Sequence, residues 1–335
     1  MLTKGDTNPL LPSHASVTWG GHRVAHQAPR SHAVVLITPD ALTPHAAKPV
    51  LKTTLNVLTE HDVCVGRWLA IRAPEYLHRG YLAHHYPRLH RIANEGQAAL
   101  SPSAQEALRT MTDRLNMDAA DVITPLDAFA MEPLLTPEGL DHRVRAHGAY
   151  KLGAAAYATP VAVAGRLRLL LNGFVPAMSL TYLDPATLVI ALEIATDHEI
   201  AYLRTSVLGN ADPTQATMGT LRQRVGQIVR DVEGRKPAEG RNGVHLSAGH
   251  LAGMFHVWSY VGAAAGEDLS ATALGSDLAR RGIHPTTLRM LANDPDLNVI
   301  GEAKAAMAVT EHASREEVLD IITAATKSPT PRLPL

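Results

Sequence analysis

Short apolar runs alternate along this chain with segments of helical period, and that alternation restricts it to a mixed α/β architecture. Ala33-Val34-Val35-Leu36-Ile37, bounded by Thr38-Pro39-Asp40, reads as a buried strand. From 44 to 60, Val50, Leu51, Leu55 and Leu58 recur at helical spacing, which predicts an amphipathic helix. Residues 63–72 read as a second strand and 74–86 as a short helix with Pro74 near its start. Beyond residue 159, Thr159-Pro160 predicts a helix through Leu167, Leu169, Leu170 and Leu171 that Asn172-Gly173 stops. Strands follow over 174–183 and 188–194, a helix over 201–208, a short strand over 242–245 and a helix over 247–261.

The remaining segments set the domain organisation. Residues 1–30, rich in Ser, Pro, Gly and His, read as an extended arm. Residues 88–159 read as a helical insertion broken by proline, with Ser103 and Glu106 spaced as a capping box and Thr136-Pro137 as a second helix start. Residues 263–335 read as a helical C-terminal extension, with Ser314 and Glu317 forming another capping box and 328–335 a proline-bearing tail.

Composition narrows the function. With 46% hydrophobic and 19% charged residues over 335 positions, the chain has ample material for a packed core. Thirty-one Lys and Arg against 32 Asp and Glu give a net charge of −1, which argues against a nucleic-acid partner. The single cysteine, Cys64, excludes an intrachain disulfide and a multi-thiolate zinc site. No apolar run is long enough to span a membrane and the N-terminus has no h-region, so a cytoplasmic protein is expected. There is no Gly-Lys dipeptide for a phosphate loop, no Gly-x-Ser-x-Gly elbow and no His-Glu-x-x-His helix; after His198-Glu199 the second histidine's place holds Tyr202.

Gly240-Arg241-Asn242-Gly243-Val244-His245-Leu246-Ser247 places a histidine at the end of a short strand, just before a helix start. Backbone N–H groups and the positive end of a helix dipole there favour anionic phosphorus chemistry at the imidazole. The plainer reading of the same spacing is a helix cap beside a hydrogen-bonded core histidine.

The segment resembles the Gly-Arg-Asn-x-x-His-Gly-Ser-Asp hallmark of the nucleoside diphosphate kinases, in which the histidine carries the phosphoryl group. Thr38-Pro39-Asp40-Ala41 is similar to that family's Lys-Pro-Asp-Ala, and His84-His85-Tyr86 to its Glu-His-Tyr. Leu208-Gly209-Asn210-Ala211-Asp212-Pro213 followed by Gly219-Thr220-Leu221-Arg222 is similar to Leu-Gly-x-Thr-x-Pro and Gly-Thr-Ile-Arg, and the four blocks keep the family's order. The resemblance implies an α/β fold with a ferredoxin-like βαββαβ antiparallel core formed by 31–87 and 160–262. It implies a phosphotransferase that binds a nucleotide, with Mg²⁺, or another phosphorylated substrate, with His245 as phosphate acceptor or acid/base and Tyr86 beside it. Arg222, Asn242, Arg204, Ser247 and Thr38 are the implied substrate-binding positions, and a homo-oligomer is the implied assembly.

Departures accompany the matches. Thr38 stands in place of the family's lysine, Leu246 in place of a glycine, Ala248 in place of an acid and Ala211 in place of a threonine. The orienting carboxylate falls at His256, and Arg204 lies one residue from its expected place. Losing one preorganised charge costs on the order of a hundredfold in phosphoryl transfer. His84, His85 and His90 surround Tyr86, and His250 and His256 follow His245, but spacings of five and six do not stack on one helix face, and no protein-held metal is expected. Two competing readings stand beside the phosphotransferase: a biosynthetic enzyme repurposed on the same fold without phosphohistidine, and a non-catalytic nucleotide-sensing or scaffold protein.

Overall fold

A computed structural model describes residues 10–11, 15–24, 29–235 and 242–327. The chain divides into two compact units: 1–81, 181–289 and 309–335 form the first, and 82–180 with 290–308 the second.

The first unit is built on five strands: β1 (Val17–Gly20), β2 (Ser31–Ile37), β3 (Cys64–Arg72), β4 (Leu188–Thr196) and β5 (Val244–Leu246). They lie in the order β1-β3-β4-β2-β5, and every neighbouring pair is antiparallel. β2 and β3 therefore run parallel to each other with β4 between them, so the chain must cross over from one to the other, and it does so through α1 (Ala47–Glu60). All nine residues of β4 are buried, as a central strand covered on both faces requires. Strand alternation sends Ala33, Val35 and Ile37 of β2 to one face, where they share a core with Val50, Val57 and Leu58 of α1 and with Leu221, Val225 and Val229 of α2 (Leu221–Glu233). At about 25 cal/mol per Å², the Val, Leu and Ile side chains among them each contribute about 1.5–3 kcal/mol on burial.

The helix α3 (His250–Val257) lies against the part of β2 that β5 leaves uncovered. Approach is close enough that a Cβ on Gly253 would stand 2.6 Å from the His32 carbonyl oxygen. A helix here covers an otherwise open sheet edge.

The second unit has its own four-stranded sheet, in the order 122–123, 166–171, 156–163, 150–153. Alternation splits its core. Ala156, Ala158, Leu169 and Leu171 pack with Ile92 and Leu108 on one side, while Val161, Val163 and Leu170 pack with Leu140 and Val144 on the other. Three of its helices begin in one way: Ser101, Thr124 and Thr136 each cap with a side-chain oxygen, and Pro102, Pro125 and Pro137 follow at the first helical position. Arg88, almost fully buried, pairs with Asp294 at 3.1 Å and Asp296 at 2.6 Å, tying the hairpin of 296–299 and 302–305 into the unit.

Several sequence expectations are corrected. Residues 88–159 are not a helical insertion, because 150–153 and 156–163 are strands, and the predicted helix over 159–171 is the hairpin of 156–163 and 166–171 turning at Ala164-Gly165. Pro160 is tolerated because Tyr157 faces 166–171 through its carbonyl bond from Asn172 N, so Pro160, of opposite parity, turns its missing N–H to the side where 150–153 has ended. Residues 174–183 form short helical turns, not a strand, and the 102–115 helix is capped by Ser101, not Ser103. The 1–30 arm contains edge strand β1, and the 263–335 extension contains the 296–305 hairpin and is not wholly helical. The Ser314–Glu317 capping box is present, with Glu317 accepting from the Ser314 N–H at 2.7 Å; the tail over 328–335 lies outside the described residues. No helix among the described residues is long and apolar enough to cross a membrane.

One polar group interrupts β4. Glu193 is 0% exposed and accepts from Arg67 Nε at 2.8 Å, Arg67 Nη2 at 2.9 Å and His32 Nε2 at 2.9 Å. A bulge in β3 between Val65 and Trp68 turns the Arg67 backbone N–H onto the same carboxylate at 3.0 Å. Burial raises the Glu193 carboxyl, but the hydrogen bonds from His32 and Arg67 outweigh it and hold it at about 2. Removing one partner of a buried pair strands the other, so Glu193→Ala is expected to lower stability by about 3–5 kcal/mol. The check is the urea midpoint at neutral pH; a loss under about 1 kcal/mol contradicts this role.

Candidate functional site

β5 pairs with β2 so that Leu246 stands opposite Val35, His245 opposite Leu36 and Val244 opposite Ile37. Val244 and Leu246 pack into the core shared by α1 and α2, so alternation alone sends His245 to the other face. Gly243 makes the turn into the strand at φ +73°, where a Cβ would come 2.7 Å from that of Ala41. Its carbonyl accepts the Thr38 N–H at 3.0 Å, which fixes the turn after β2 against the start of β5.

Arg222, the second residue of α2, donates through Nε to the Val244 carbonyl and through Nη1 to the Gly209 carbonyl, both at 3.0 Å. Its guanidinium thus ties the loop after residue 208 to β5 and sets a positive charge near His245. The His245 ring is walled by protein, with some surface still accessible, and burial together with the Arg222 charge holds its pKa down at about 4. At neutral pH it is an uncharged imidazole, which carries a lone pair on one ring nitrogen.

Four other expected residues gather at the same end of the sheet. Asn242 is buried and donates from Nδ2 to the Ala211 carbonyl at 3.0 Å, while its Oδ1 is buried without a hydrogen-bond partner among the described residues. Thr38 donates to Asp40 Oδ1 at 2.5 Å, and burial raises the Asp40 carboxyl. Ser247 is fully buried: its hydroxyl accepts the Val34 N–H at 3.0 Å and lies 3.0 Å from His256 Nδ1. Arg204 donates to the Ala248 carbonyl at 2.7 Å and pairs with Glu311 at 2.8 Å, so it braces the turn after Ser247.

Tyr86, expected beside the histidine, belongs to the second unit; there its ring meets that of His85 edge-on, with centroids 4.6 Å apart. The sequence pattern runs the core to residue 87, whereas the first unit's opening segment ends at Tyr81. Gly240 and Arg241 lie outside the described residues. Among the described residues no group of three or more His, Cys, Asp or Glu side chains gathers as a metal-holding set. Sequence spacing does not mark the charge network of His32, Arg67 and Glu193; its one signal is a lone glutamate inside the apolar run 188–194.

Neither a protein-family model nor a curated protein nor a solved structure matches this chain.

Because the folded-state pKa of His245 lies below its ordinary 6.5, the unfolded chain binds the extra proton between these values. The stability this group contributes is complete above pH 6.5 and is lost as pH falls towards 4, amounting to about 2 kcal/mol between pH 7.5 and 5. His245→Gln is expected to flatten the pH dependence of the urea unfolding free energy by that amount. Parallel curves for the two proteins would show that the imidazole is not desolvated.

Proposed function

We propose that the first unit carries a divergent nucleoside-diphosphate-kinase-like core of ferredoxin-like topology, which binds a phosphorylated ligand, a nucleotide foremost, at His245. The observation that carries this reading is an uncharged imidazole held beside the Arg222 guanidinium at a sheet edge, in the motif block where the family resemblance is densest. The strand order β3-β4-β2-β5 with crossover helices supports it, since a split βαβ arrangement gives that order.

In this reading the lone-pair nitrogen of His245 attacks the γ-phosphorus of a nucleoside triphosphate. A P–N bond forms while the bond to the bridging oxygen breaks, and the diphosphate leaves with the electron pair. A diphosphate acceptor then attacks the phosphorus, the P–N bond breaks and the imidazole is restored. No proton has to be removed from His245 beforehand, because the attacking nitrogen is already unprotonated at neutral pH. Arg222 offsets the charge that accumulates on the phosphoryl oxygens. Magnesium enters as part of the nucleotide, bound by its phosphates. Thr38 supplies no cation where the family has lysine, so transfer is slower by on the order of a hundredfold.

One observation favours a second reading, ligand binding without transfer: Arg222, Arg204, Asn242 and Ser247 all hydrogen-bond to this chain's own backbone. Incubation with γ-labelled ATP and Mg²⁺ separates the two. Phosphotransfer predicts acid-labile, base-stable label on the protein, absent from His245→Gln and reduced at least tenfold in Arg222→Ala. Nucleotide binding without label supports the second reading, and neither binding nor label overturns both.

A further inference from the structure

At the edge of the sheet that carries β1, unit 1 has an open cavity of about 530 Å³, well within the range of small-molecule sites. Only 4% of the chain is aromatic, with three tryptophans and eight tyrosines in all, yet Trp19, Trp68 and Tyr81 line this one cavity. Trp19 is 40% exposed, an arrangement that gains little for folding.

The aromatic wall is fixed in place. Trp19 Nε1 donates to the Tyr260 carbonyl at 3.1 Å, and the Arg79 guanidinium lies 5.8 Å from the Trp19 ring centroid. Tyr81 rests on a buried stack: its ring centroid lies 5.3 Å from that of Tyr260 and 5.4 Å from that of Tyr76, and the hydroxyls of Tyr76 and Tyr260 are 2.6 Å apart. Gly20 leaves the floor bare, since a Cβ there would come 2.3 Å from the Trp68 ring. Rings held this rigidly lose little entropy when a ligand stacks on them.

Charge selects the kind of ring. The lining includes Arg67 and Arg79 and no carboxylate, which opposes a cationic guest of the sort aromatic cages hold. Both arginines already have carboxylate partners, Arg67 in Glu193 and Glu267 and Arg79 in Glu75, so a strong anion attraction is not built in either. Stacking, not charge, is the dominant contribution available.

We propose that this cavity binds a planar aromatic or heteroaromatic ring system, neutral or anionic, stacked on the Trp19 and Tyr81 wall. The site is independent of His245. Three naphthalene probes that share a ring and differ in charge test it by calorimetry: 2-naphthylmethanol, 2-naphthoate and 2-naphthylmethylammonium. The first two are expected to bind, and the ammonium probe more weakly. Trp19→Ala is expected to weaken the neutral probe at least tenfold, while His245→Gln leaves it unchanged. Because Trp19→Ala also removes a contact of β1, Ala264→Phe, which fills the cavity from an exposed position and deletes no contact, provides the second arm and is expected to abolish binding with an unaltered melting curve. Equal binding of all three probes, undiminished binding to Ala264→Phe, or no binding at millimolar concentration would overturn the proposal. So would a change of oligomeric state in Trp19→Ala without any loss of ring binding, which would make the cavity a protein contact.

Discussion

Three residue pairs between β5 and β2 decide what this site is. Had the register slipped by one, Val244 and Leu246 would leave the core and His245 would enter it, so the burial of those two apolar side chains is also what aims the imidazole. Gly243 at positive φ and the Thr38–Gly243 backbone bond hold the register from one end, and Ser247, bonded to both backbone groups of Val34, holds it from the other. Arg222 then completes the arrangement by donating to the carbonyls of Val244 in β5 and of Gly209 in the preceding loop. The charge of that guanidinium acts with burial to hold the His245 pKa low.

The two edges of the same sheet are finished in different ways. On the β5 side, α3 closes the remaining length of β2, and the polar groups there are largely engaged with backbone. On the β1 side the edge ends in glycines and an exposed tryptophan. Between them, the buried Glu193 is satisfied by hydrogen bonds from β2 and β3 at once, so it links the central strand to both of its neighbours by side chain as well as by backbone. Such a network is costly to interrupt and specifies one packing of the three strands.

The elements with an unambiguous period were legible in the sequence: strand β2, helix α1, strand β3, strand β4 and the helical turn before Gly209 all fall close to where apolar spacing puts them. The failures have physical causes. Residues 156–171 carry apolar residues so densely that helix and strand periods both fit, and Pro160, a common first residue of a helix, here sits harmlessly on an open strand side. Residues 174–183 contain Pro176, whose fixed φ suits the first turn of the short helix of 175–178. For the site, motif spacing brought Thr38, Arg222, Asn242, His245 and Ser247 to one end of the sheet but gave no sign that Arg204 and Ser247 are spent on internal bonds. Tyr86 lies beyond a unit boundary between residues 81 and 82, and spacing carries no mark of that boundary.

The proposed chemistry requires an uncharged His245 at neutral pH, and its side-chain protons report that state directly. Titration of the His245 Hε1 resonance, assigned by its loss in His245→Gln, is predicted to give an inflection near pH 4, with Arg222→Ala moving it upward. An inflection between 6 and 7 that is indifferent to Arg222 would mean a solvated surface imidazole and would contradict the proposed phosphoryl transfer at His245.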